Sequence, residues 1–143
     1  MSINLNEIRN RLKRYRIILA EKNELVFKLN EINQLIGVKA VTYDSVGSNT
    51  NKISNTVANQ ALSLIETKEE LEILINTKGL ELDRIKNAIS VLSLKEKEII
   101  ELKHIEDYSW ETVAYNVDRS TKTCKKIERE ALIKINNILA YNI

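Results

Sequence analysis

The residues best suited to binding chemistry in this sequence are lysines and arginines at helical spacing near its C-terminal end. At about 100° per residue they share one side of a predicted helix, while apolar residues gather on the other side. The candidate contacts are Ser120, Thr121, Lys122, Lys125, Lys126 and Arg129. Ammonium and guanidinium groups in such a stripe bind anions, and a helix that offers them from its own N-terminus suits the major groove of DNA. A solvated charged face is the alternative interpretation.

A second basic cluster lies near the N-terminus. From Arg9 to Arg16 there are five basic residues and no acid. Arg9, Lys13 and Arg16 fall along one helical line, so they are a candidate secondary contact with the DNA backbone; the polar face of an amphipathic helix is the alternative. Residues 66–83 between the two clusters hold six acids against two lysines, although the net charge of the chain is only +2. This segregated charge matters more for steering a charged partner than the total does.

Catalytic and metal-binding constellations are missing from the sequence. One histidine and one cysteine are too few for a zinc site, which takes about four such ligands. No glycine-rich phosphate loop and no Ser-His-Asp arrangement occurs. We therefore expect neither an enzyme nor a bound cofactor. The single cysteine, the lack of a long apolar run and the charged N-terminus predict a cytoplasmic protein without a membrane partner.

The composition predicts an all-α fold. The 143 residues include no proline, three glycines and seven aromatic residues, which favours long uninterrupted helices over sheets. One amphipathic helix is predicted over 3–36, ending at Gly37, and a second over 55–92, with Gly79 as a candidate bend. A loop, 37–54, separates them. Each helix carries an apolar seam at steps of three and four, interrupted by Lys22 and Asn33 or by Lys68 and Lys78. The two helices are expected to pair as a hairpin or coiled coil.

A compact C-terminal part is predicted after these helices. Ser93 with Glu96 fits a capping box, Ser109 can cap a short helix over 110–116, and Ser120 can cap a final helix that extends past Leu139. Trp110 is expected to fill the core beneath these helices. Two domains are thus predicted: 1–92 for oligomerisation or interaction, and 93–143 for DNA binding.

The stretch "YSWETVAYNVDRSTKTCKKIEREALIKI" resembles the helix-turn-helix in the fourth, promoter-reading region of bacterial sigma factors, and "LSLKEKEIIELKH" is similar to the helix that braces it. The similarity is carried by Ser109, Glu111, Val113, Ala114, Ser120, Ile127, Glu128, Ala131, Leu132 and Ile135. The turn departs from the family, because Asp118 stands where glycine is usual and Arg119 where an apolar residue is frequent. Aspartate tolerates the left-handed backbone conformation better than most residues.

The whole arrangement resembles small phage and prophage transcriptional regulators of the ArpU and RinA groups. This resemblance implies a promoter-binding regulator with double-stranded DNA as its partner. RNA polymerase is a further candidate partner, and a homodimer through the N-terminal helices is expected. Two other functions stay open: a helical interaction protein that binds polymerase or a sigma factor without reading DNA, and a phage DNA-packaging protein similar to a terminase small subunit.

Overall fold

The computed structural model describes residues 4–46 and 51–140, and every regular element within these ranges is a helix. The predicted all-α fold is confirmed. The elements are α1 (Leu5–Lys13), α2 (Tyr15–Val46), α3 (Asn51–Ser90), α4 (Leu94–Ile100), α5 (Trp110–Val117) and α6 (Thr121–Leu139), with a π-helical turn (Glu101–Ile105) continuing α4.

Helix α2 runs on through the segment that was predicted to be a loop. Residues 37–46 belong to α2 and residues 51–54 to α3; the predicted loop 37–54 and the predicted stop at Gly37 are therefore wrong for these residues, while 47–50 lie outside the described ranges. The physical reason is that one isolated glycine costs a helix only about 1 kcal/mol relative to alanine. No proline follows it to block the next hydrogen bond.

The first predicted helix begins at a polar cap and is irregular at Arg14. The Asn4 side chain accepts a hydrogen bond from the Glu7 amide at 3.2 Å, which satisfies one of the free donors at the start of α1. Hydrogen bonds pass through the irregularity: the Arg14 amide donates to Asn10 at 3.1 Å, and the Ile18 amide donates to Arg14 at 2.8 Å. Helices α1 and α2 thus form one long helix with a local irregularity at Arg14.

The chain divides into two compact units, and their boundary differs from the predicted one at residue 92. Residues 1–19 and 80–143 form one unit, called here the base unit, and residues 20–79 form the other, called the hairpin unit. The N-terminal helix and the end of α3 therefore belong with the C-terminal helices. The reason is burial, because Ile8 and Ile85 share a core with Ala131.

The hairpin unit consists of the paired stretches of α2 and α3. Glu21 near the start of α2 forms an ion pair with Lys78 near the end of α3, so the helices run antiparallel. The predicted seams are half-buried at their apolar positions, among them Val26, Leu29, Ile36, Ala61, Leu64, Leu71 and Ile75. Other large apolar side chains of this unit are exposed: Phe27, Leu35, Val38, Leu62, Ile65, Ile73 and Leu74.

The base unit contains two hydrophobic cores. The first core joins α1, the end of α3, α4 and the C-terminal half of α6, and its buried residues are Ile8, Leu12, Ile85, Ala88, Ile89, Ile100, Ala131, Leu132 and Ile135. The second core joins α4, α5 and the N-terminal half of α6 through Ile99, Val113, Val117 and Cys124. Helix α6 is thus packed into both cores along its length.

Polar contacts fasten the same helices to one another. Ser93 and Glu96 form the predicted capping box at the start of α4. The buried Glu96 carboxylate also accepts a hydrogen bond from Lys134 of α6 at 2.8 Å. Arg11 of α1 forms a two-pronged contact with Glu81 of α3, the shortest distance being 2.8 Å. Helices α1, α3, α4 and α6 are therefore held by directed contacts as well as by apolar burial.

Candidate nucleic-acid interface

Helices α5 and α6 are joined by a short turn of the kind that a helix-turn-helix requires. Ser109 caps α5 by accepting a hydrogen bond from the Thr112 amide at 3.2 Å. Asp118 ends α5 in the left-handed conformation, with φ 56° and ψ 49°. The sequence departure at this position is thus accommodated, since aspartate is among the few residues that tolerate this conformation.

Ser120 is the N-cap residue of α6. Its hydroxyl oxygen accepts from the Thr123 amide at 3.1 Å, and its hydroxyl lies 2.9 Å from that of Thr123. The predicted DNA contact at Ser120 is therefore better described as a positioning contact for the start of the helix. Thr121, the next predicted contact, is half-buried at the first helical position.

The predicted basic stripe is exposed on α6. Lys122, Lys125, Lys126 and Arg129 are all exposed, and none of them has an ion pair or hydrogen bond to another described residue. Cys124 and Ala131 on the opposite side of the helix are fully buried. The structure therefore brings these four cations together on one open surface, as their spacing predicts.

The electrostatic setting of the stripe favours an anion. The first turn of α6 contains no acidic residue, so no carboxylate within that turn offsets the positive end of the helix dipole. Glu130 is exposed on the same helix, beyond the first turn. An anionic partner would thus meet four cations that have no partner among the described residues, beside the Ser120-capped N-terminus of α6.

The three residues of the second predicted contact, Arg9, Lys13 and Arg16, have different environments in the structure. Arg9 donates to Glu128 of α6 at 2.9 Å and to Asn6 at 2.8 Å, so its guanidinium is engaged within the base unit rather than free for phosphate. Lys13 is exposed without a partner among the described residues. Arg16 lies 4.0 Å from Glu106, and both side chains are about half exposed. The helical spacing was right, but spacing alone does not reveal an intramolecular partner.

Glu128 shares the family spacing of the sigma-like segment, but its sequence position did not predict a functional role for it. Its side chain is buried and accepts hydrogen bonds from His104 Nε2 at 2.8 Å and from Arg9. Burial by itself would raise the pKa of Glu128, but the hydrogen bonds from His104 and Arg9 outweigh it and hold that pKa below its usual value. The signal was present in the sequence, since Glu128 lies four residues after Cys124 and three before Ala131, inside the apolar stripe.

His104 is buried, and its Nε2 faces a carboxylate. Because an ionised carboxylate can only accept, Nε2 carries the proton in this contact. The other ring nitrogen, Nδ1, is buried and has no hydrogen-bond partner among the described residues. The described part of the chain also holds no cluster of three or more His, Cys, Asp or Glu residues that could bind a metal ion.

Other candidate groups of the base unit pack as core residues. Trp110 is half-buried against the second core, as predicted, and Lys103 Nζ lies 5.2 Å from its ring centre. Cys124 is fully buried, and burial raises the pKa of its thiol, so the thiol is a small apolar group here. Neither residue contributes to the exposed stripe.

A surface cavity of about 680 Å³ lies elsewhere on the base unit. Its lining mixes lysines and glutamates with apolar side chains, and includes Tyr15, Lys86, Ile89, Lys97, Glu101, Leu102 and Glu106. None of the predicted DNA contacts lines it, and its mixed charges favour no single class of ligand.

Within the described ranges, no helix combines the length and the apolar character needed to pass through a bilayer.

Comparison with known proteins gives a family but no characterised relative. No curated protein and no solved structure matches the chain. A family described as "Protein of unknown function (DUF722)" matches residues 16–137, from the start of α2 to the last turn of α6. Because this match covers well over half of the sequence, the chain belongs to the DUF722 family.

Proposed function

We propose that this protein is a sequence-specific DNA-binding transcriptional regulator. The observation that carries the proposal is a set of four exposed cations on α6 that have no partner among the described residues. The helix is capped by Ser120 and follows a short left-handed turn. The resemblance to the promoter-reading region of sigma factors agrees with this function. It further suggests a regulator of the ArpU or RinA kind, encoded by a phage or prophage.

Helix α6 has the dimensions and the side chains for major-groove binding. A groove about 12 Å wide admits one α-helix, and the N-terminal residues of a recognition helix reach the base edges. Thr121 and Lys122 hold that place in α6, while Lys125, Lys126 and Arg129 lie further along, where phosphates flank the groove. Lys13 of α1, which has no partner among the described residues, is a further candidate contact with the DNA backbone.

The proposed regulator acts as a homodimer. Helix-turn-helix proteins commonly bind paired half-sites, which requires two reading helices. Seven large apolar side chains are exposed among the hairpin-unit residues whose burial the structure describes, and a second copy of the hairpin would remove them from water. RNA polymerase is the further partner that an activator at a promoter would contact.

A second candidate function is supported by the same exposed apolar side chains. A helical interaction protein would use them to bind polymerase or a sigma factor without reading DNA. The two functions differ in what α6 does, because only the DNA-binding function needs its cations to be free.

The experiment that separates these functions is selection of duplexes from a random DNA pool by the full chain. Recovery of a common sequence is the expected result. Binding to the selected duplex is then titrated with salt for the wild type, Lys125→Ala and Arg129→Ala, with helicity measured in parallel. Each lost phosphate contact should make the slope of log affinity against log salt shallower by about one unit. A lost base contact should instead cost about 1–3 kcal/mol of discrimination at one base pair.

Lys97→Ala is the matched control, because Lys97 is an exposed lysine of α4 that lines the surface cavity, to which none of the stripe residues contributes. Its affinity and slope should equal those of the wild type. Failure to recover any sequence, or unchanged binding by both α6 variants while they stay folded, would overturn the DNA-reading function.

A further inference from the structure

A single buried carboxylate joins three segments of the base unit. Glu128 of α6 is only 3% exposed. Its Oε2 lies 2.8 Å from His104 Nε2 in the π-helical turn, and its Oε1 lies 2.9 Å from Arg9 Nη2 in α1. The pairing is non-local, since Arg9 and Glu128 are 119 residues apart in the chain.

Glu128 lies where the two cores meet along α6. Cys124 and Ile127 before it pack in the second core, and Ala131 after it packs in the first. Apolar contacts are non-directional, so each core by itself tolerates small rotations of the helix. A buried charge is different, because any rotation that separates it from its donors leaves it unpaired at high cost. The network therefore singles out one rotational setting of α6.

That setting matters for the exposed side of the same helix. A rotation of about 20° moves side-chain atoms some 6 Å from the helix axis by about 2 Å, given a helix roughly 12 Å across. Hydrogen bonds to base edges fail over such a distance. Arg129 follows Glu128 directly, and Lys125 precedes it by one turn, so both cations move with this carboxylate.

We propose that Glu128 is a positioning residue for DNA binding, and that α1, through Arg9, sets the orientation in which α6 presents its lysines and arginine. This inference rests on the proposed function. It assigns the N-terminal helix a part in DNA reading without placing Arg9 on the DNA.

The chain offers a closely matched control. Arg11 is also on α1 and makes an arginine–glutamate contact of nearly the same length, 2.8 Å against 2.9 Å, with an almost equal side-chain exposure, 31% against 32%. Its partner, Glu81, belongs to α3 rather than α6. Arg9→Met and Arg11→Met therefore remove ion pairs of similar length from the same helix, and only the Arg9 pair holds the reading helix. The glutamate partners differ in burial, since the Glu128 side chain is 4% exposed and that of Glu81 is 28% exposed. Arg9→Met should thus cost more global stability, and the two variants are compared after correction for that cost.

Two measurements on both variants test the proposal. The first is amide hydrogen exchange of residues 121–129 in the free protein, normalised by the global stability of each variant. The second is the affinity for the selected duplex relative to a scrambled duplex of the same length. We expect Arg9→Met to speed the exchange by about tenfold and to lower the preference for the selected duplex by about tenfold, a change of ~1.4 kcal/mol in each equilibrium. Arg11→Met should change neither.

Two further variants define the role. Arg9→Lys keeps the charge but loses the planar fork, so it should recover only part of the preference. Glu128→Gln keeps a hydrogen-bond acceptor and removes the charge. Like Arg9→Met, it should speed the exchange of residues 121–129 and lower the preference for the selected duplex. It therefore serves as the test if Arg9→Met does not fold.

The outcomes are distinguishable. Equal behaviour of the Arg9 and Arg11 variants would overturn the proposal. It would also be overturned if Arg9→Met weakened both duplexes equally with a salt slope shallower by about one unit, because Arg9 would then be a phosphate contact. If the wild type selects no DNA, the proposed function fails, but the exchange measurement still decides whether Glu128 fixes α6.

Discussion

The base unit and the hairpin unit are both helical, yet they bury their apolar side chains to different degrees. Leu12, Ile85 and Leu132 of the base unit are completely buried. The seam of the hairpin unit is only half-buried, and Phe27 and Ile73 of that unit are more than 60% exposed. The base unit thus has a fully buried core of its own. The described side chains of the hairpin unit include none that is fully buried, so exposed apolar residues there are a surface that a partner could cover.

The largest expected effect comes from truncating one leucine in each unit, a buried one in the base unit and an exposed one in the hairpin unit. Leu132→Ala removes a fully buried side chain and should lower the free energy of unfolding by about 2–5 kcal/mol, because it leaves a cavity. Leu62→Ala removes a side chain that is 57% exposed, and should change it by no more than about 0.5 kcal/mol in dilute protein. Urea unfolding followed by circular dichroism measures both. Equal losses would show that the two units are packed alike.

The second prediction concerns what covers the hairpin unit. Phe27→Glu places a charge on the exposed apolar surface and should raise the dissociation constant of the proposed homodimer at least about tenfold, or ~1.4 kcal/mol. Leu94→Glu is the control, because Leu94 is even more exposed but lies in the base unit, and it should leave the dimer intact. Sedimentation equilibrium reports the association. A wild-type chain that stays a 16.5 kDa monomer at high micromolar concentration would remove the dimer from the proposal.

The third prediction uses the buried carboxylates of the base unit. Burial acts to raise the pKa of both Glu96 and Glu128, but their hydrogen-bonded partners outweigh it, so that both values are lowered from the usual 4.5. The unfolded chain then binds these protons more readily than the folded one. The stability that the two groups contribute is therefore fully present above 4.5, and is lost as the pH falls through their lowered pKa values.

The measurement is the urea midpoint between about pH 5 and pH 3, where unfolded carboxyl groups take up protons. Glu128→Gln has no proton to take up at this position, so its midpoint should fall less steeply with acid than that of the wild type. Parallel pH profiles would show that the Glu128 contacts do not favour the ionised carboxylate.

Local signals in the sequence were sufficient for much of the fold. Serine followed three residues later by glutamate predicted the capping box at Ser93, and serines before short apolar patterns predicted the starts of α5 and α6, because caps act over a single turn. The exposed stripe followed from helical spacing for the same reason. Each of these features depends on residues that are close in the chain.

Features that depend on distant residues were not predictable in this way. The ion pair of Arg9 depends on Glu128, which is far away in the sequence. The pattern within α1 therefore indicated only an exposed basic face. The boundary predicted at residue 92 differs from that of the compact units for the same reason, since the burial of Ile8 and Leu12 depends on α6. At Gly37 the sequence signal itself was ambiguous, because glycine both ends helices and is tolerated within them.

The smallest expected effect sharpens the description of the hairpin unit at that glycine. Gly37 lies within α2, and a Cβ atom added there would meet no atom within 4 Å. Gly37→Ala should therefore raise stability by about 0.5–1 kcal/mol, because alanine loses less backbone entropy on entering a helix. Gly79→Ala is the matched variant within α3, where the added Cβ would lie 3.4 Å from Nζ of the flexible Lys22 side chain, an ordinary contact. It should give a similar gain. Thermal unfolding and the helical circular dichroism signal measure both variants. A loss of helicity in Gly37→Ala alone would mean that Gly37 ends the helix, and would restore the loop that the sequence predicted from this residue onward.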